Sequence, residues 1–199
     1  MVERLNDETR VHHTDTDADL DLLFRADSTA TDYMVFLMRV YGFESPLESS
    51  LAMTTTLDLM LNLRERSRAA NLAKDLMALG LRANQVSELP QCLTIPNFRG
   101  AAEALGWMYV VERSTLAHSV ILRHLMTRLP DQMERASSYL QSYAGVVGRR
   151  WREFGVTLDN VARHPVIADR IVASANEAFA CQRRWLRNDQ LDSTARAVG

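Results

Sequence analysis

Two cysteines, five prolines and eight glycines are all that 199 residues hold of the types that staple, break or loosen a chain. Two thiols cannot build a disulfide framework, and no C-x-x-C or Cys/His metal spacing surrounds them, so Cys92 and Cys181 read as packing residues of a protein in a reducing compartment. No run of 18 apolar residues occurs, and the polar N-terminal stretch MVERLNDETRVHH lacks a signal-peptide core. The expectation is a cytoplasmic protein with no membrane partner. Neither charge sign dominates, since 23 Lys and Arg stand against 25 Asp and Glu, and nucleic acid is offered no general attraction. The H-E-x-x-H, G-x-S-x-G, P-loop and G-x-G-x-x-G patterns are missing, as is any Glu-x-x-His pair. Their absence argues against zinc proteases, serine hydrolases, nucleotide enzymes and di-iron carboxylate bundles.

Between the sparse glycines and prolines lie long segments whose apolar residues recur every three or four positions, while strand alternation is nearly absent. The pattern predicts an all-α, single-domain, multi-helix bundle over residues 1–188 with a flexible tail at 189–199. Helices are expected over Val2 to His13 and after the Asp15-Thr16-Asp17 cluster through Leu20, Leu23 and Phe24. A capped start at Ser28 to Asp32 opens a long helix bent near Gly42 and Pro46, followed by one from Leu57 to Leu79 that Gly80 caps. Residues 82–97 read as the main loop. Three more helices follow, from Phe98 or Arg99 to a stop at Pro130, from Gln132 to Leu158 with a break near Gly145, and from Pro165 to Arg187. Tyr33, Phe36, Tyr41, Trp107 and Trp151 are assigned to the core. Asp15, Asp17, Asp19 and Asp21 lack the glycine turn and closing glutamate of a calcium loop.

Histidines stand at 12, 13, 118, 124 and 164. A cofactor held by few protein ligands suits such a set, and heme needs only one imidazole, an apolar wall and a few cations. Neighbours on a helix point about 100° apart, so only one of His12 and His13 faces a common cleft; spacing does not say which, and both being solvated at a helix end is the simpler alternative. The apolar segment Ala101 to Leu125 is interrupted by Glu112, Arg113, Ser114 and Thr115, which need partners or a cavity. The plain reading is an ion pair from Glu112 to a nearby Arg, with the hydroxyls bonded back to the helix.

At these residues a resemblance appears. Leu5, Thr9, Arg10, His13 and Asp17 form an L-x-x-x-T-R-x-x-H-x-x-x-D arrangement that resembles the proximal helix of heme oxygenases. Ala104 to Leu125, ALGWMYVVERSTLAHSVILRHL, is similar to the A-L-G-x-x-Y-V-x-E-G-S-x-L-G-G-x-x-I pattern of bacterial members, including those encoded beside bacterial phytochromes. Tyr143, Gly148, Trp151 and Phe154, followed by Ala178 and Phe179, form a third and weaker match.

The resemblance implies that His13, rather than His12, ligates the iron of a heme sandwiched between a proximal and a distal helix. Heme would be both cofactor and substrate, opened to biliverdin with release of iron and carbon monoxide. Electrons would come from a ferredoxin, flavodoxin or reductase, and a bacterial phytochrome is a candidate acceptor of the biliverdin. Ser114 and the backbone near Ala117 would order a water that supplies protons, and Arg10, Arg149 and Arg152 are candidates to pair with propionates, against a reading as plain surface charge.

The chain departs from the family where the pattern has glycines, with Arg113, Ala117 and His118 in their place. Ala117 is easily absorbed, whereas Arg113 must reach solvent, a propionate or a carboxylate such as Glu112. His118 has three readings: a second axial ligand that closes the open position, a hydrogen-bonding group for a bound ligand or water, or an ordinary packed histidine. Two rivals to the enzyme reading follow. One is a heme- or bilin-binding protein without turnover, and the other is a heme-free interaction module on the same fold.

Overall fold

A computed structural model of the chain describes residues 1–13 and 21–187, and every regular element among them is helical. The Asp15, Asp17 and Asp19 carboxylates and the expected tail lie outside the described residues. Helix α1 (Val2–Glu8) stops at a turn at Thr9, after which residues 10–13 are helical again. A short α2 (Asp21–Phe24) precedes α3 (Ala30–Ala52), whose start is a reciprocal box. The Asp32 amide donates to the Thr29 hydroxyl at 3.2 Å, and the Thr29 amide donates to the Asp32 carboxylate at 2.8 Å.

The bend expected near Gly42 and Pro46 does not divide α3, which is one element through both. Pro46 has no N–H, so the Gly42 carbonyl four residues earlier loses its helical donor. The Cys92 amide supplies the missing bond from outside, donating to Gly42 O at 2.8 Å. Gly42 also makes room for that approach, because a Cβ there would sit 2.5 Å from both the Pro90 carbonyl and the Trp185 ring.

The helix expected over Leu57 to Leu79 is two pieces, α4 (Leu57–Met60) and α5 (Ala69–Ala78). Arg66 and Arg68 interrupt it by turning inward, and both are buried. Glu48 then caps α5 by accepting from the Arg68 and Ala69 amides at 2.6 and 3.0 Å. At its far end the Gly80 amide bonds Met77 O and the Leu81 amide bonds Leu76 O, with Gly80 at φ 115°, a left-handed stop that glycine adopts without strain. The expected loop at 82–97 contains a short α6 (Ala83–Ser87).

Helix α7 (Ala101–Ser114), three 3₁₀ residues (Thr115–Ala117) and α8 (His118–Arg128) replace the single helix expected there. Pro130 ends that run as expected and also opens α9 (Pro130–Arg135). The predicted helix from Gln132 to Leu158 is broken well before Gly145, because the buried Asp75 carboxylate accepts from the amides of Ser138 and Tyr139 at 2.9 and 2.8 Å and draws the chain out of helical pairing. Helix α10 (Val147–Val161) and α11 (Pro165–Leu186) complete the fold, the latter with Pro165 in its first turn. No helix among the described residues is long and apolar enough to cross a membrane.

Helices α7 and α11 lie against each other at Gly106, where an added Cβ would meet Ile171 O at 2.5 Å and the Ala175 amide at 2.9 Å. Two buried clusters result. One gathers Leu5, Trp107, Tyr109, Phe154 and Ile171; the other gathers Tyr33, Leu37, Leu72, Leu125 and Tyr139. The candidate site occupies their junction.

Candidate functional site

A cavity of about 300 Å³ opens between the two clusters. Its apolar wall includes Phe36 and Val40 of α3, Val110 of α7, Ile121 of α8 and Phe179 of α11. Its polar positions are few: Arg39, Glu44, Arg113, Ser114, His118, Tyr139 and Gln182. A mostly apolar cleft with sparse convergent polar groups is the usual form of a cofactor site.

The run from α7 to α8 forms one side of this cleft and passes through its 3₁₀ turn without glycine. The Ser114 hydroxyl donates back to Val111 O at 2.8 Å, and the Thr115 hydroxyl donates to Glu112 O at 2.6 Å. Such back-bonding competes with the regular ladder and tightens the turn into 3₁₀ form. Ala117 and His118 thereby face the cavity together with Ser114 and Arg113.

His118 is 5% exposed, its ring lies 4.6 Å from that of Tyr139, and its Nδ1 has no hydrogen-bond partner among the described residues. Burial, with a smaller push from the Arg68 charge, drives its pKa down to about 3, so the ring is neutral at any ordinary pH. An unfolded chain protonates this histidine near pH 6.5, whereas the folded one does so only near 3. Its contribution to stability is therefore complete above pH 6.5 and lost as pH falls through that window. His118→Phe should flatten the dependence of unfolding free energy on pH between about 6.5 and 3, measured by urea unfolding at stepped pH. Equal slopes in both proteins would mean that the folded ring already titrates in the cavity.

Behind the kink lies a buried charge cluster. Tyr139 donates to one oxygen of Glu44 at 2.8 Å, and Arg68 Nε donates to the other at 3.0 Å. Tyr143 donates to Glu112 Oε1 at 2.8 Å, Arg66 Nη1 donates to Oε2 at 2.6 Å, and Arg68 stands 3.8 Å from the same carboxylate. The plain reading of Glu112 and of the two hydroxyls is thus what the fold contains, and Glu112 pairs with Arg66 and Arg68 rather than with Arg113. Burial raises the Glu44 carboxyl, with Arg68 pulling it partly back. Burial also opposes the charge on Arg68, and Glu44 and Glu112 more than offset that.

The N-terminal histidines pack against Phe179 of the cavity wall. His12 stacks on Phe179 at 5.4 Å, with its Nε2 3.1 Å from Asn176 Oδ1. The Asn176 amide donates to Val172 O, so its oxygen accepts from His12. His13 is tilted against Phe179 at 5.8 Å, with its Nε2 3.0 Å from Thr9 Oγ1. The Thr9 hydroxyl gives its own proton to Leu5 O at 2.7 Å, so it accepts from His13 Nε2.

The other expected site residues divide. Arg113 lines the cavity near the Tyr109 hydroxyl. Arg10 is exposed on the segment that carries His13. Arg149 and Arg152 are not brought to the cavity: they border a separate surface depression with Asn62 and Glu153, and Arg149 donates to Glu153 at 3.4 Å. They lie on a face of α10 turned toward residues 60–66, which gives them no common space with His118. Reading the sequence missed Arg39, Glu44, Tyr139 and Gln182. Their only signal was a polar residue at a core-facing position of an amphipathic helix or beside one.

The sequence profile of the family described as Heme oxygenase matches residues 1–188. Among curated protein sequences none matches. In three dimensions the chain is similar to the NO- and CO-bound heme oxygenase from Neisseria meningitidis, with a TM-score of 0.75 over 96% of this chain and 91% of that one, at 22% identity.

Proposed function

Because the chain belongs to the heme oxygenase family, we propose that heme is bound in the cavity at the junction of the two clusters and is opened there to biliverdin, iron and carbon monoxide. The observation that carries this reading is His118 Nδ1, a buried nitrogen with no partner among the described residues, on a histidine that lines a largely apolar cleft together with Phe179, which His13 touches. An orphaned nitrogen of this kind is stabilised by a ligand that fills the space in front of it. The residues present fit heme: His118 on the cavity wall, His13 packed against the Phe179 ring that lines it, apolar faces between, and Arg39 and Arg113 as cations for two propionates.

Heme, when bound, supplies the iron at which dioxygen is reduced and the ring carbon that is oxidised. The chain's own part is placement and proton handling. His13 would hold the iron, with the Thr9 contact at its Nε2 helping to fix the ring before heme arrives. Ser114 spends its proton on Val111 O, so its lone pairs are what it offers the cavity, and it orders water as an acceptor. His118, held neutral, has one ring nitrogen to accept from or donate to a group in the cleft. Ala117 brings the 3₁₀ backbone toward the same space with only a methyl group between.

The same nitrogen favours a second reading, in which His118 would also bind the heme iron and heme would be held without turnover. Hemin titration followed by reductant and dioxygen separates the two. A Soret band that bleaches into biliverdin absorption establishes the oxygenase, while a persistent low-spin band establishes the capped binder. A chain that takes up no hemin is the interaction module. From the likeness of residues 104–125 to bacterial members encoded beside phytochromes, we also propose a cytoplasmic setting, a ferredoxin, flavodoxin or reductase as electron donor, and a phytochrome as acceptor.

His13→Ala should abolish the axial-nitrogen signature of the ferric complex in electron paramagnetic resonance and weaken hemin binding by roughly tenfold or more, about 1.4 kcal/mol. An unaltered spectrum would transfer the ligand role to His12 or His118.

A further inference from the structure

Cys92 and Cys181 are 89 residues apart in sequence, yet their Sγ atoms lie 3.6 Å from each other. Cys92 sits in the segment docked on Gly42, and Cys181 sits on α11 between Phe179 and Gln182 of the cavity wall. We propose that the two form a redox site, in which a hydroperoxide converts the thiol pair into a disulfide that fastens residues 90–95 to α11.

The surroundings differ from those of sulfurs that merely fill space. Thr94 is exposed, but its hydroxyl is turned inward to 3.3 Å from Cys92 Sγ and 3.2 Å from Cys181 Sγ. The pair is therefore buried at 3% and 4% exposure, yet the surface residue Thr94 reaches both sulfurs. Hydrogen bonding from the Cys181 thiol, with help from Thr94 and the nearby Arg184 charge, makes Cys92 easier to ionise than an ordinary thiol. A thiolate beside a second thiol is the arrangement in which a first oxidation is captured before it proceeds further.

The steps balance with peroxide as the named oxidant. Cys92 Sγ attacks the terminal oxygen of hydrogen peroxide, the S–O bond forms as the O–O bond breaks, and the departing hydroxide takes the Cys92 proton, giving a sulfenic acid and water. Cys181 Sγ then attacks Cys92 Sγ, the S–S bond forms, the S–O bond breaks, and the sulfenic oxygen leaves as a second water with the Cys181 proton. Two electrons pass from two thiols to one peroxide. The sulfurs must close from 3.6 Å to about 2.05 Å, a movement within reach of side-chain rotation.

The test uses the whole reduced protein, treated with stoichiometric hydrogen peroxide, then denatured and alkylated. The expected result is that both thiols vanish together, the monomer mass falls by two hydrogens, a peptide pair joins Cys92 to Cys181, and dithiothreitol reverses the change. The oxidised form should also unfold roughly 5 °C or more higher, because the crosslink closes a long loop. In Cys181→Ser the sulfenic acid on Cys92 should persist long enough to be trapped by a dimedone probe. Two thiols that still alkylate fully, oxygen adducts on either cysteine of the wild type, or a linkage between two chains would each overturn the proposal.

Discussion

Arg68→Met lowers the free energy of unfolding by about 3–5 kcal/mol, because it leaves the buried Glu44 carboxylate without its cation while Glu112 keeps only Arg66. Arg68 is 2% exposed, donates to Glu44 and Val111 O, and stands 3.8 Å from Glu112. Met fills similar volume, so the loss reports charge rather than a cavity. Removing the cation pushes the already raised Glu44 carboxyl further up. A carboxyl raised in the folded state favours folding when protonated, so the deficit is largest near neutral pH and shrinks as pH falls through the Glu44 value. Urea unfolding at several pH values measures both parts, and Arg68→Met with Glu44→Gln should recover a substantial share. A deficit under about 1 kcal/mol at pH 7 would show that water already solvates the cluster.

Gly106→Leu should cost about 3 kcal/mol or more, through overpacking at the seam of α7 and α11. The atoms in the way of even a first methyl group are the Ile171 carbonyl oxygen, the Ser174 Cβ and the Ala175 amide nitrogen, at 2.5, 2.7 and 2.9 Å. Two of the three are backbone and cannot rotate aside, so the helices must part. Because α7 continues into the kink that carries Ser114 and Ala117, the same displacement should reach the cavity and weaken hemin binding. Gly148→Ala is the matched control. It lies exposed near the start of α10, where the new Cβ comes no nearer than 3.7 Å to Arg152, and it should gain about 0.5 kcal/mol from reduced backbone freedom. Thermal unfolding of the two variants decides the matter, and equal midpoints would show that α7 and α11 can slide past each other.

What could be read in the residues, and what could not, follows the range of the interactions. Thr29 with Asp32, Gly80 after α5 and Pro165 at the head of α11 act within four residues of themselves, and each marks the boundary expected of it. The interruptions at 61–68 and 136–146 depend on distant partners. Arg66 and Arg68 leave the helical path to meet Glu112 and Glu44, and Asp75 draws Ser138 and Tyr139 out of theirs. Periodicity carries no information about a partner 60 residues away. The site divides in the same way. The resemblance picked out His13, Arg113, Ser114, Ala117 and His118, four of which line the cavity while His13 packs on its Phe179 wall. Arg149 and Arg152 were named as guanidiniums suited to propionates, and residue type does not say which side of α10 they occupy.

The bond between the Cys92 amide and the Gly42 carbonyl ties two distant substitutions into one inherited trait. Any residue other than proline at 46 would restore the helix's own donor, and the docked loop would then compete for an oxygen already engaged. A proline at 92 would remove the N–H that bonds that oxygen. A lineage can therefore exchange the proline freely only together with the loop's docking point. The gap in the ladder of α3 serves as the address at which the loop is delivered, and the two sulfurs meet because the loop arrives there.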